Sequence, residues 1–167
     1  EMTLALQAEV ETGTAVEFLE HSLEECEHLL HKNHFIMTSI RSSLIDSYGH
    51  RKGYLLTELP EFLLKRKIEL CEDLMAILNI FESGKSRARA LMMYEMHAPL
   101  VLYAKLLADD GRLNKSDYLK ELEKTQKILE ESQEIIDWED ENVCQIKKFI
   151  PKSMSYLKSL IQQNACK

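Results

Sequence analysis

Little in this sequence would break a helix: among 167 residues there are only five Gly and three Pro. That scarcity excludes collagen-like and linker-rich chains, and it leaves no Gly-rich loop to cradle a phosphate; neither G-x-G-x-x-G nor a Walker-type motif occurs. No apolar run approaches the ~20 residues of a membrane span, and no basic-then-apolar leader opens the chain. Four widely separated cysteines (Cys26, Cys71, Cys144 and Cys166) offer no C-x-x-C pair, which argues against zinc modules and disulfide scaffolds. Buried free thiols at Cys26 and Cys71, in a reducing compartment, are the expectation. There is also no G-x-S-x-G, no HExxH and no cysteine in a nucleophile setting.

What is present is a globular composition, 45% hydrophobic and 29% charged, rich in Leu, Glu and Lys. The net charge of −7 disfavours nucleic acid as a partner. Its distribution is uneven. Residues 1–31 carry eight acids and no Lys or Arg, residues 117–141 carry ten acids and three Lys, and residues 142–167 carry five Lys and no acid. Such a basic last helix lies beside acidic neighbours or faces an acidic partner.

Apolar residues recur at spacings of three and four throughout. A first helical segment runs from about Thr3 to Leu30, bent near Thr12-Gly13-Thr14, with Val16, Leu19, Leu23, Cys26 and Leu30 on its apolar side after Leu4, Leu6 and Val10. A second covers about His34 to Tyr48 and stops at Gly49. Pro60 suits the first turn of a third, whose stripe is Leu64, Ile68, Cys71, Met75, Leu78 and Phe81, ending at Gly84. A fourth begins near Ser86 and contains Pro99, where a kink is expected. Gly111 ends it, and Asn114 or Ser116 caps a fifth, with Leu119, Leu122, Thr125, Leu129, Ser132 and Ile136 as its seam. Trp138 marks a turn. The last helix carries Val143, Ile146, Ile150, Leu157, Leu160 and Ile161, broken in two by Pro151. The fold class is therefore all-α: stacked antiparallel helical hairpins, about six to eight helices, in one domain spanning residues 1–167.

Three histidines crowd one stretch: His28, His31 and His34. Glu25 and His28 make one Glu-x-x-His, the unit that di-iron bundles use twice, but no second copy exists, since Glu95 and His97 stand two apart. Solvated or helix-capping histidines are the simpler reading. The Met92, Met93 and Met96 group reads as core. Two basic groups are more informative: Arg51, Lys52, Lys65, Arg66 and Lys67, and then Lys85, Arg87 and Arg89 at a helix start, where cations oppose the helix dipole. Either they pair with acids such as Glu82 or Glu95, or they face a partner.

The segments "LLHKNHFIMTSIRSSLIDSYG", "GYLLTELPEFLLKRKIELCEDLM" and "SGKSRARALMMYEMHAPLVLYAKLL" resemble, in order, parts of the SMYD proteins, the SET-and-MYND-domain lysine methyltransferases, most closely the arthropod branch. The matching pieces are Leu30 to Phe35, Tyr48-Gly49, Arg66-Lys67 to Cys71, Ser86 to Arg89, and Tyr94 to His97; Lys32 stands where the family usually has Pro. The resemblance covers about residues 15–135. It implies a tetratricopeptide-like C-terminal helical domain, without the SET core that binds S-adenosylmethionine and without the zinc-binding MYND and post-SET modules. It also implies no catalytic, cofactor or metal residue in this chain. A start at Glu1 fits a cut after the post-SET region. The implied role is a non-catalytic interaction and regulatory domain that walls the substrate cleft and binds protein partners, chaperone tails or methylation substrates among them, in cytoplasm or nucleus, with no direct nucleic-acid or membrane contact. Arg66, Lys67, Arg87 and Arg89 are the candidate partner-facing residues. A stand-alone helical adaptor is the alternative, and a bundle-core metal enzyme a third.

Overall fold

A computed structural model describes residues 15–140 and 144–165; the expectations at Thr3 to Thr14, Val143 and Cys166 lie outside them. Six α-helices and one 3-10 turn are found, and no strand among the described residues, only an isolated bridge between Gly49 and Leu55. No described helix is long and apolar enough to cross a membrane. The chain divides into two compact units, Glu1–Glu58 and Leu59–Lys167.

In the first unit, α1 (Ala15–Glu27) packs on α2 (Phe35–His50). Val16, Leu19 and Leu23 are buried as their spacing requires, but Cys26 is only half-buried because the helix ends one residue later. The expected buried thiol is therefore found at Cys71 and not at Cys26. Tyr48, buried, donates its hydroxyl to Glu20 at 2.8 Å and fastens the two helices together. Gly49 takes φ 110°, which only Gly adopts without strain, and the following loop turns back so that its N–H reaches the Tyr54 carbonyl at 2.7 Å.

The histidine-rich stretch is the joint between these helices. His34 caps α2, its Nδ1 accepting the Ile36 N–H at 3.3 Å, while His31 Nδ1 accepts the Asn33 N–H at 3.2 Å. His34 satisfies a backbone donor that the helix start leaves open, and His31 one in the turn before it. Arg41 reaches back from α2 to the Lys32 carbonyl at 2.7 Å and closes the turn.

The second unit holds α3 (Glu61–Phe81), α4 (Arg87–Asp109), α5 (Lys115–Ile136) and α6 (Ile150–Ala165), with the 3-10 turn Gln145–Lys148 before α6. Pro60 falls one residue earlier than expected, at the N-cap of α3. The α3 stripe holds at Leu64, Ile68 and Cys71, then moves to Leu70 and Leu74, so that Phe81 is 71% exposed. Ser86 caps α4 through the Arg89 N–H, and α4 continues through Pro99 to Asp109. Its end is a Schellman turn: Gly111, at φ 69°, donates to Ala108 and Arg112 donates to Leu107. Asn114, not Ser116, caps α5, accepting the Asp117 N–H at 2.9 Å. In the α5 seam Leu119 is half-buried, and Tyr118 and Ile135 join the core. Pro151 does not break a helix; it lies in the first turn of α6, where its missing N–H costs nothing.

Helices α3, α4, α5 and α6 pack each on the next. Their contacts run antiparallel: Arg112, just past α4, grips Glu61 at the start of α3 with two bonds of 2.7 Å, and Ser132 near the end of α5 bonds the Ala90 carbonyl at the start of α4. Ala90 has no exposed surface, and that small side chain is what lets α5 approach the α4 backbone closely. The core joins Val101, Leu122, Leu129, Ile136, Ile150 and Leu157, each worth ~1.5–3 kcal/mol when fully buried.

Candidate partner-binding site

Helix α4 is apolar nearly all round, and from Ala88 to Ala104 no residue is exposed. A helix with that pattern needs neighbours on more than one face. The segment from Tyr94 to His97 shows how they are held. The Tyr94 hydroxyl bonds the Ser153 side chain of α6, and burial raises its pKa. Glu95 takes the Lys67 ammonium of α3 at 3.2 Å. Met96 is buried, and the His97 ring stacks tilted on Tyr94 with centroids 4.8 Å apart. Three successive side chains thus serve α6, α3 and the core.

The expected basic residues fall into two places. Lys67 is 2% exposed, with its charge turned onto Glu95, and Arg66 beside it is half-buried and engaged. Arg89 is half-buried at the start of α4, held by the Gly84 carbonyl and by Glu131 of α5 at 3.3 Å, and Lys85 pairs with Glu134 on the same helix. Arg87 is exposed and also engaged. Because α3 and α4 are antiparallel, Lys67 lies about 20 Å along α3 from the end that meets Arg89. These four residues do not form one patch. Carboxylates of α5, Glu134 and Glu131, neutralise Lys85 and Arg89 at the start of α4, while Glu95 takes Lys67.

A cleft of about 190 Å³ opens between α4 and α6. His97, Ala98, Val101, Leu102 and Lys105 line it from α4, and Ser153, Tyr156 and Leu157 from α6. The α4 positions follow i, i+1, i+4, i+5, i+8, a second apolar face beside the one turned to α5; that double stripe was the sequence signal for this site. Its polar equipment is slight. His97 Nδ1 contacts the Tyr94 carbonyl, an acceptor only, so Nδ1 carries the proton. Burial, above all, pushes the imidazole pKa below its usual value, so the ring is neutral at pH 7 and Nε2 keeps a lone pair. Such a site binds by shape, with one acceptor and one cation to orient what enters. Among the described residues no three His, Cys, Asp or Glu stand together as a metal site would require.

Compared with protein-family models, with curated proteins and with solved structures, the chain matches none.

Proposed function

We propose that this chain is a non-catalytic protein-interaction and regulatory domain of a SET-MYND-type lysine methyltransferase, tetratricopeptide-like in its helical hairpins. The observation that carries the reading is the ordered series of segments from Leu30 to His97 that resemble that family. The place of those residues supports it: His34 and Ser86 cap helices, and Lys67, Arg89, Tyr94 and Glu95 tie one helix to another. Residues that fix a scaffold are those whose types and spacing a shared scaffold would require. On this reading the chain supplies a wall and a docking surface, with Arg66 and Arg87 nearest to solvent among the basic candidates. The parent enzyme uses S-adenosylmethionine and zinc in modules outside this sequence, acts in cytoplasm or nucleus, and binds protein partners, not nucleic acid or membrane.

The test is the transcript upstream of Glu1. A continuous reading frame encoding a SET core and cysteine-rich modules is the expected result. A start codon a short way upstream, with neither, would replace this reading by a stand-alone helical adaptor.

A further inference from the structure

Eight residues line the α4–α6 cleft, and four of them bring polar groups: His97 and Lys105 from α4, Ser153 and Tyr156 from α6. The Ser153 hydroxyl is already engaged by Tyr94. His97 gives its Nδ1 proton to the Tyr94 carbonyl of its own helix, which fixes the tautomer and leaves the far edge of the ring, with Nε2, as an acceptor. That Nε2 meets no donor among the described residues, and it is not sealed from water. Lys105 is exposed, and no carboxylate among the described residues pairs with it. The remaining walls are the apolar side chains of Ala98, Val101, Leu102 and Leu157.

Size narrows what can enter. The cleft holds about 190 Å³. That is below the ~300 Å³ at which sites for drug-sized molecules begin, and somewhat above the ~150 Å³ of an apolar cavity that takes up benzene. One aromatic ring, or two fused rings, fills it. Chemistry narrows it further. An acceptor at an apolar wall calls for a donor, because covering it without one forfeits its hydrogen bond to water. The Lys105 ammonium on one wall and the Tyr156 ring on the other favour a π face over an aliphatic one.

We infer that the α4–α6 cleft is a binding site for a small neutral aromatic molecule with one N–H or O–H donor, an indole or a phenol, whose ring lies among Val101, Leu102, Lys105 and Tyr156 and whose donor meets His97 Nε2. This site is independent of the methyltransferase reading, and either can fail without the other.

The test is a titration of the isotope-labelled 167-residue chain with indole, followed through the backbone amides of residues 97–105 and 153–157 in amide correlation spectra. Saturable shifts confined to those residues are expected, with a dissociation constant on the order of 10⁻⁴–10⁻³ M for so small a ligand. Indene has nearly the same shape and no donor, and should bind about tenfold more weakly. Cyclohexanol, a donor without a π face, should bind about fivefold more weakly. His97→Leu removes the preference for indole over indene, and Ala98→Phe, which fills the cleft, removes binding of both. The same spectra show whether each variant is folded, and the indole-to-indene ratio in the parent chain decides the matter if one is not. N-acetyltryptophan amide, which adds flanking backbone, should bind no tighter than indole. The inference is overturned if indole does not bind, if its shifts spread beyond the cleft, if indene binds equally, or if His97→Leu keeps the preference. Much tighter binding of the tryptophan amide would overturn it too, by assigning the cleft to a protein side chain.

Discussion

Lys67 and Arg89, near the helix contacts of α3 to α5, and the lysines of α6 have the same chemistry and different surroundings. On α3 and α4, Lys67 and Arg89 are drawn inward and neutralised by carboxylates of the next helix, Glu95 and Glu131. On α6, Lys152 and Lys158 face water with no acid on their own helix and no ion pair among the described residues. A basic cluster in a sequence therefore says nothing of exposure by itself. What decides is whether an antiparallel neighbour brings acids to the same height, as α5 does for the start of α4. Charge pairs that tie helices fix the register of the stack.

The comparison can be broken most severely at Lys67. Glu95→Ala leaves a buried ammonium without that partner and is expected to cost ~3–5 kcal/mol in urea unfolding, whereas Lys67→Met, which removes the buried charge and keeps the volume, costs less than ~1.5 kcal/mol. Equal losses would show that Lys67 is not confined as described. Next come the caps, which hold helix ends without any charge pair: Ser86→Ala and Asn114→Ala should each cost ~1 kcal/mol, measured as a shift in thermal midpoint.

Smaller again is the pH response of His97. Burial holds its folded-state pKa below the ordinary imidazole value, so the stability it contributes is complete above that ordinary value and is lost as pH falls through the folded pKa. His97→Gln should flatten the fall in melting temperature between pH 7.5 and pH 5 relative to the parent chain. At the bottom stands α6: Lys152→Glu with Lys158→Glu should change stability by no more than about 0.5 kcal/mol, because neither lysine holds the fold together.

Much of the fold was legible because few Gly and Pro interrupt it, and each one that does carries meaning. Gly49, Gly84 and Gly111 all take positive φ at or near helix ends, where their positions in the sequence placed them. Leu122, Thr125, Leu129, Ser132 and Ile136 of α5 and Leu64, Ile68 and Cys71 of α3 followed from spacing alone. The later turns of α3 did not: Met75 and Leu78 are half-buried and Phe81 is exposed. Trp138, at 85% exposed, was correctly placed in a turn, but nothing local tells how far such a ring projects into water.

The candidate site was harder. Lys67 in the sequence is one cation among several, and its burial depends on Glu95, which lies twenty-eight positions later on another helix. The cleft depends on α4 and α6 lying side by side, a tertiary fact. Its trace in the sequence was the second apolar stripe, Ala98, Val101 and Leu102, on a helix that already had one. The histidines at 28, 31 and 34 drew attention as ligands, yet His31 accepts a backbone N–H in the turn and His34 one at the helix start.

The most direct measurement is the rate at which each lysine is acetylated in the folded chain, read by mass spectrometry. Lys67, buried on Glu95, should be the slowest of all, and Lys105, Lys152 and Lys158 should be among the fastest. Labelling of Lys67 as rapid as theirs would contradict the division between cations that tie the helices and cations that face water.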